Sequence, residues 1–159
     1  AGLPVIGTLN DLLRSGDKVN KIEAVLSGTL NFVFNNYTGG KSFAKVVRQA
    51  QQEGYTEPDP RLDLSGTDVM RKIMILARET GEKLEIEDIS NQSFMPEDCM
   101  KGDVENFYAE MEKNEDHLLK LVYEAKKEGK KLKFVARYED GEASVTLQHI
   151  EPQHDFFHF

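Results

Sequence analysis

A chain of 159 residues, 39% hydrophobic and 30% charged, is long enough for one domain with a core of its own and too apolar to stay disordered. Its 20 Lys and Arg against 28 Asp and Glu leave a formal charge of -8, which disfavours nucleic acid as a partner, because phosphates need a basic face. No apolar run approaches the ~20 residues of a membrane span, no signal peptide is visible, and the single cysteine, Cys99, excludes a disulfide framework and suits a reducing, cytoplasmic setting.

The first stretch, "PVIGTLNDLLRSG", reads as a helix opened near Pro4 and stopped by Gly16, with one apolar face. Alternation of Ile22, Ala24 and Leu26 predicts a strand over 19–26. "LNFVFNNYTGG" reads as a short helix closed by two glycines. Ser42 is placed to cap a further helix that Gly54 ends. After an acidic loop, a helix is expected from about Gly66 to Thr80, burying Val69, Ile73, Leu76 and Ala77. "EDISNQSFM" is read as a strand, and "GDVENFYAEMEKNEDHLLKLVYEAKKEGK" as two helices or one broken helix. The charges of the latter form a solvated face, and Leu118, Leu119, Val122 and Ala125 its core face. The two alternating runs of "KLKFVARYEDGEASVTLQHI" meet at Asp140-Gly141, a tight-turn pair that predicts a hairpin. Helices and strands intersperse without βαβ repetition, so the class is α+β, one domain over 1–159. Both ends, "AGLPVIG" and "HDFFHF", are apolar, as expected of a piece excised from a longer protein.

"GYTEPDPRLDLSGTDVMRK", residues 54–72, holds the chemistry. Pro58 and Pro60 stiffen a loop carrying Glu57, Asp59 and Asp63, with Glu53 just before it. A stiff loop loses less entropy on binding, so Glu57 and Asp63 are candidates to hold a substrate ammonium. Asp68 and Lys72 stand four apart, on one helix face. A lysine so placed can give a proton to an oxygen that gains negative charge and take it back in reverse. Spacing alone leaves other readings open. Ser65-x-x-Asp68 also fits a capping box, Asp68 and Lys72 an ordinary surface ion pair, and the loop a solvated turn or a carboxylate site for a divalent metal.

The words "SGTLNFVFN" at 27–35 and "GYTEPDPRLDLSGTDVMRKIMILARE" at 54–79, with "AGLPVI" at 1–6, resemble homoserine dehydrogenase. The likeness runs on through "ARETGEKLEIEDI" and is closest to the dehydrogenase half of fused aspartokinase–homoserine dehydrogenases. It implies a mixed sheet with helices largely on one face, a homodimer formed through the sheet, and reduction of L-aspartate 4-semialdehyde to L-homoserine with NADPH or NADH. Lys72 then matches the family's acid/base lysine and Asp68 the acid beside it. Glu57 matches the glutamate that contacts substrate. Gly28, Thr29, Tyr55 and Asp63 match further pocket positions, Thr29 and Tyr55 through backbone groups. Backbone carbonyls of Ala1 and Leu3 would be among the ligands of a monovalent cation. One departure is "PRLDL" where the family commonly reads "PRDDL", so Leu62 removes a carboxylate. Another is the missing nucleotide fold: no two glycines are spaced two apart, so no Gly-x-Gly-x-x-Gly turn exists, and the sequence alone predicts weak NADPH binding and little dehydrogenase activity. A noncatalytic oligomerisation module with an acidic loop is the alternative from another class. The pair His154 and His158 is a poor metal motif and reads better as a partly buried core edge.

Overall fold

The hairpin at the C-terminal end organises the fold. Strand β3, Lys131–Glu139, and strand β4, Glu142–Ile150, pair antiparallel with Glu139 opposite Glu142. Their two-residue turn has positive φ at both Asp140 (51°) and Gly141 (82°), the left-handed pair that matches strand twist. A four-stranded sheet grows around it in the order β1-β3-β4-β2, where β1 is Lys21–Ala24 and β2 is Ser90–Gln92. β1 joins β3 antiparallel, while β2 joins β4 parallel, so the sheet is mixed. The computed structural model describes residues 4–159; the expected cation ligands Ala1 and Leu3 lie outside the described residues.

The register assigns the two faces. Leu132, Phe134, Ala136 and Tyr138 of β3 share a face with Ala143 and Val145 of β4 and Ile22 of β1, and all of them belong to or pack on one core. That core is completed by helices α2 (Gly28–Asn36), α3 (Phe43–Gln52), α5 (Thr67–Glu79), α6 (Val104–Lys113) and α7 (Glu115–Lys127). Helix α1, Val5–Arg14, packs on α5, and the single turn α4, Arg61–Leu64, adds Leu64 to the core. The helices therefore crowd one face, as expected. The other face carries half-exposed polar groups such as Glu23, Arg137, Ser144 and Thr146.

Local sequence explains most boundaries. Ser42 accepts from the Lys45 amide and opens α3; Ser27 does the same for α2 through the Leu30 amide. Val69, Ile73, Leu76 and Ala77 all point inward from α5. The strand expected over 19–26 shortens to Lys21–Ala24, and the run "EDISNQSFM" yields only Ser90–Gln92, because Phe94 and Met95 turn into the core immediately after it. No described helix is long and apolar enough to cross a membrane.

Candidate active site

Helix α5 opens at Gly66, whose φ of 76° is left-handed and whose missing Cβ leaves room for the Phe134 ring; a Cβ there would stand 2.8 Å from Cζ. No side chain caps this helix, so the capping-box reading of Asp68 fails: Gly66 occupies the cap position, and Ser65 Oγ turns back to the Leu62 carbonyl and the Thr67 amide. Asp68 is thus free for Lys72. Its Oδ2 lies 2.6 Å from Lys72 Nζ, one helical turn away, with the side chains 58% and 46% exposed. Lys72 Nζ also donates to the Leu26 carbonyl at 3.0 Å. Two of its three protons are used among the described residues, and the third has no protein acceptor there.

The acidic loop ties itself down with its own carboxylates. Asp59 takes the Arg61 guanidinium in a fork, with Nε at 2.9 and 3.1 Å and Nη2 at 2.6 Å, and Arg61 Nη1 donates to the Gly102 carbonyl at 2.7 Å. Hydrogen bonds from Arg61 hold the Asp59 carboxyl below the usual carboxylate range. Asp63 Oδ2 accepts the Glu57 amide at 2.9 Å, and its Oδ1 lies 3.0 Å from Thr29 Oγ1. The Thr29 hydroxyl has one proton, and the Tyr55 carbonyl at 2.6 Å takes it. Glu53 accepts from Gln49 Nε2. Of the carboxylates between 53 and 68, Glu57 alone has no hydrogen-bond or ion-pair partner among the described residues, and it is exposed. Asp63, read from sequence as a direct ligand of the substrate ammonium, here spends Oδ2 on the Glu57 amide.

These pieces meet at one place, the N-terminus of α2. Lys72 reaches it through Leu26 O and the loop through Thr29 Oγ1. Only Ser27 and Gly28 lie between Leu26 and Thr29, which limits the Cα atoms of the two to about 11 Å. Between them Gly28 is exposed, and a Cβ there would meet nothing within 4 Å. Tyr55 is also exposed and stacks on Phe32, with ring centroids 4.4 Å apart. Amide groups at a helix start favour negative charge. The corner so built offers a lone carboxylate for a cation, helix amides for an anion, and an ammonium with a proton to share.

No three His, Cys, Asp or Glu side chains among the described residues are grouped to hold a metal ion. His154 Nδ1 accepts from the Phe156 amide and closes the turn at Asp155–His158, a structural role. What sequence reasoning missed is the Arg61 fork and, on β3, the buried Lys133.

The fold and this corner define an α+β domain that gathers a carboxylate loop, a helix start and a lysine at one place. A profile of the family described as Homoserine dehydrogenase matches residues 4–159. The chain belongs to the homoserine dehydrogenase family. It is 44% identical over 98% of its length to bifunctional aspartokinase/homoserine dehydrogenase 2, chloroplastic, of Arabidopsis thaliana, and spans 17% of that protein. It is 39% identical over 97% of its length to the Escherichia coli bifunctional aspartokinase/homoserine dehydrogenase 2, spanning 19% of it, and 38% identical over 98% to the homoserine dehydrogenase of Schizosaccharomyces pombe, spanning 44%. Among solved structures, a Candida auris protein described as of unknown function superposes with a TM-score of 0.90 at 36% identity, over 98% of this chain and 46% of that one. The Archaeoglobus fulgidus structure titled a putative homoserine dehydrogenase shares the fold, with a TM-score of 0.72 at 19% identity, over 98% of this chain and 42% of that one.

Proposed function

We propose that this chain is the substrate-binding and proton-transferring part of a homoserine dehydrogenase, reducing L-aspartate 4-semialdehyde to L-homoserine on the route to threonine, methionine and isoleucine. The observation that carries the reading is the meeting of Lys72 and the 55–57 loop at the start of α2. Glu57 holds the substrate ammonium, being the one loop carboxylate without a partner among the described residues. The amides of Gly28 and Thr29 face its carboxylate. Lys72, paired with Asp68 at 2.6 Å, lends its remaining proton to the carbonyl oxygen as that oxygen becomes an alkoxide. Fixed charges aimed at developing charge are where most of the barrier lowering arises. Asp63 acts one step back, by holding the Glu57 amide.

The described residues do not form a dinucleotide cradle. The sequence lacks the glycine turn, and the sheet is built on an antiparallel hairpin instead of parallel βαβ units. NADPH or NADH is therefore assigned to chain outside these residues, and the 159 residues alone bind NADPH weakly and turn over little. Tight, stoichiometric NADPH binding to them by calorimetry would refute that. A homodimer through the half-exposed polar face of the sheet is part of the proposal, checked by light scattering with Arg137→Glu as the disrupting variant. A cytoplasmic setting is proposed on the lone, buried Cys99. The deciding experiment replaces Lys72 by Ala in the full-length parent and follows NADPH oxidation with aspartate semialdehyde. Turnover should fall by ~10²–10⁴-fold with the fold intact. An unchanged rate would favour a noncatalytic oligomerisation module.

A further inference from the structure

Lys133 has no place in the chemistry above, yet it is the one charged residue among the described residues with 0% exposure. Its ammonium meets Asn31 Oδ1 at 3.0 Å, Asn35 Oδ1 at 2.7 Å and the main-chain oxygen of Phe159, with no Asp or Glu side chain among its partners in the described residues. Asn35 Nδ2 donates to the same Phe159 carbonyl at 3.0 Å, which fixes the amide with its oxygen toward Lys133. Three protons thus meet three acceptors. Burial pushes its pKa down, and repulsion from Lys131 adds to that. A buried ammonium with no Asp or Glu partner is costly to keep, and a methionine of similar shape would avoid that cost. The arrangement is specific in what it joins. Asn31 and Asn35 stand four apart, on one face of α2, so an ammonium bonded to both sets the helix's rotation and its advance along its axis. The third bond ties in the C-terminal turn at Asp155–His158, whose Phe157 carbonyl takes Lys131 as well. Asn31 is two residues beyond Thr29, the residue on which the Tyr55–Glu57 loop leans.

We propose that Lys133 is a positioning residue for the substrate corner: its buried ammonium locks α2 to strand β3 and to the C-terminal turn, and so aims the Gly28–Thr29 helix start at the substrate carboxylate. The inference rests on the dehydrogenase reading. It separates this role from plain support of the fold, because a slip of α2 moves the semialdehyde contacts and leaves cofactor binding, assigned outside these residues, alone.

The test is steady-state kinetics of the full-length parent with Lys133→Met, Lys133→Arg and Asn31→Ala, beside Lys72→Ala. For Lys133→Met the expected result is a loss of about tenfold or more in kcat/KM for aspartate semialdehyde, carried chiefly by KM, with KM for NADPH within about twofold of the parent's and most of the loss restored in Lys133→Arg. Unchanged kcat/KM for the semialdehyde, or equal losses for both substrates, would overturn the proposal. Should Lys133→Met fail to fold, Asn31→Ala decides: a smaller split in the same direction supports the proposal, and none overturns it. If Lys72→Ala keeps full activity, the dehydrogenase reading itself has failed, an outcome distinct from intact dependence on Lys72 with indifference to Lys133.

Discussion

Lys72 and Lys133 place the same ammonium in opposite settings. Lys72 sits on a helix surface, 46% exposed, with a carboxylate one turn below it and a proton uncommitted. Lys133 is sealed under α2, held by two amide side chains and a main-chain oxygen, its protons all spoken for. An exposed pair of this kind contributes only ~0.3–0.5 kcal/mol to folding, so its arrangement is affordable to lose structurally and is free to serve chemistry. A buried ammonium works the other way. It has nothing to give a substrate, and what it determines is where a helix stands.

The widest contrast comes from truncating each in turn. Lys72→Ala should leave unfolding free energy within ~0.5 kcal/mol of the parent while turnover collapses. Lys133→Ala should cost about 2–5 kcal/mol in urea unfolding, since it empties a closed site and strands the acceptors around it. Equal stability losses in the two variants would erase the distinction. Next in size is Gly66→Ala, which affects the Lys72 region through its helix start. A side chain at φ 76° is strained, and its Cβ would press on Phe134 Cζ at 2.8 Å. The expected loss is about 1–3 kcal/mol, read from the urea midpoint, and activity should drop with it because Asp68 and Lys72 ride on that turn. A neutral result would mean that the helix start can shift without cost.

A smaller effect separates the loop from both lysines. Asp59 titrates below its unfolded value because Arg61 hydrogen-bonds to the ionised form. A folded-state pKa that is depressed gives stability present above the unfolded pKa, about 3.9, and lost as pH falls through the lower folded value. The stability gap between the parent and Asp59→Asn should therefore be constant across neutral pH and close as the solution is acidified below about 4. A gap that widened in acid would show that the fork does not govern this carboxylate.

Much of the Lys72 region was legible because its determinants are local. Asp68 and Lys72 are four apart, Gly66 and Ser42 mark helix starts, and Asp140-Gly141 announces the hairpin within one dipeptide. The resemblance carried by "GYTEPDPR" supplied the residue roles. Lys133 was illegible for the same physical reason reversed. Its partners lie 98 and 102 residues away, and in "KLKFVARYE" it occupies an alternating polar position that reads as solvent-facing. Only the packing of α2 and the C-terminal turn buries it. Parallel pairing of β2 with β4 is equally nonlocal, and the strand's three residues give periodicity nothing to work on. Asp63 falls between the two cases: its place in the loop followed from the motif, while its use as a brace for the Glu57 amide depends on how the loop folds back.

The smallest expected effect concerns Leu62, where the resembling family commonly carries an acid. At 61% exposure its side chain is mostly in solvent, and restoring the carboxylate with Leu62→Asp should change stability by no more than ~0.5 kcal/mol. Its influence on substrate is also expected to be slight. An added negative charge at the loop draws the substrate ammonium and repels its carboxylate, and for a zwitterion the two nearly cancel at a distance. Glu57 meanwhile remains the only loop carboxylate without a partner among the described residues, so under the proposed reading it keeps the ammonium whether or not a second acid stands nearby. KM for aspartate semialdehyde in the full-length parent should shift by less than about threefold, and the shift should shrink further as salt is raised. A tenfold fall in KM would show that the cation site spans Leu62 as well as Glu57, and that this chain binds its substrate with one acid fewer than the corner can hold.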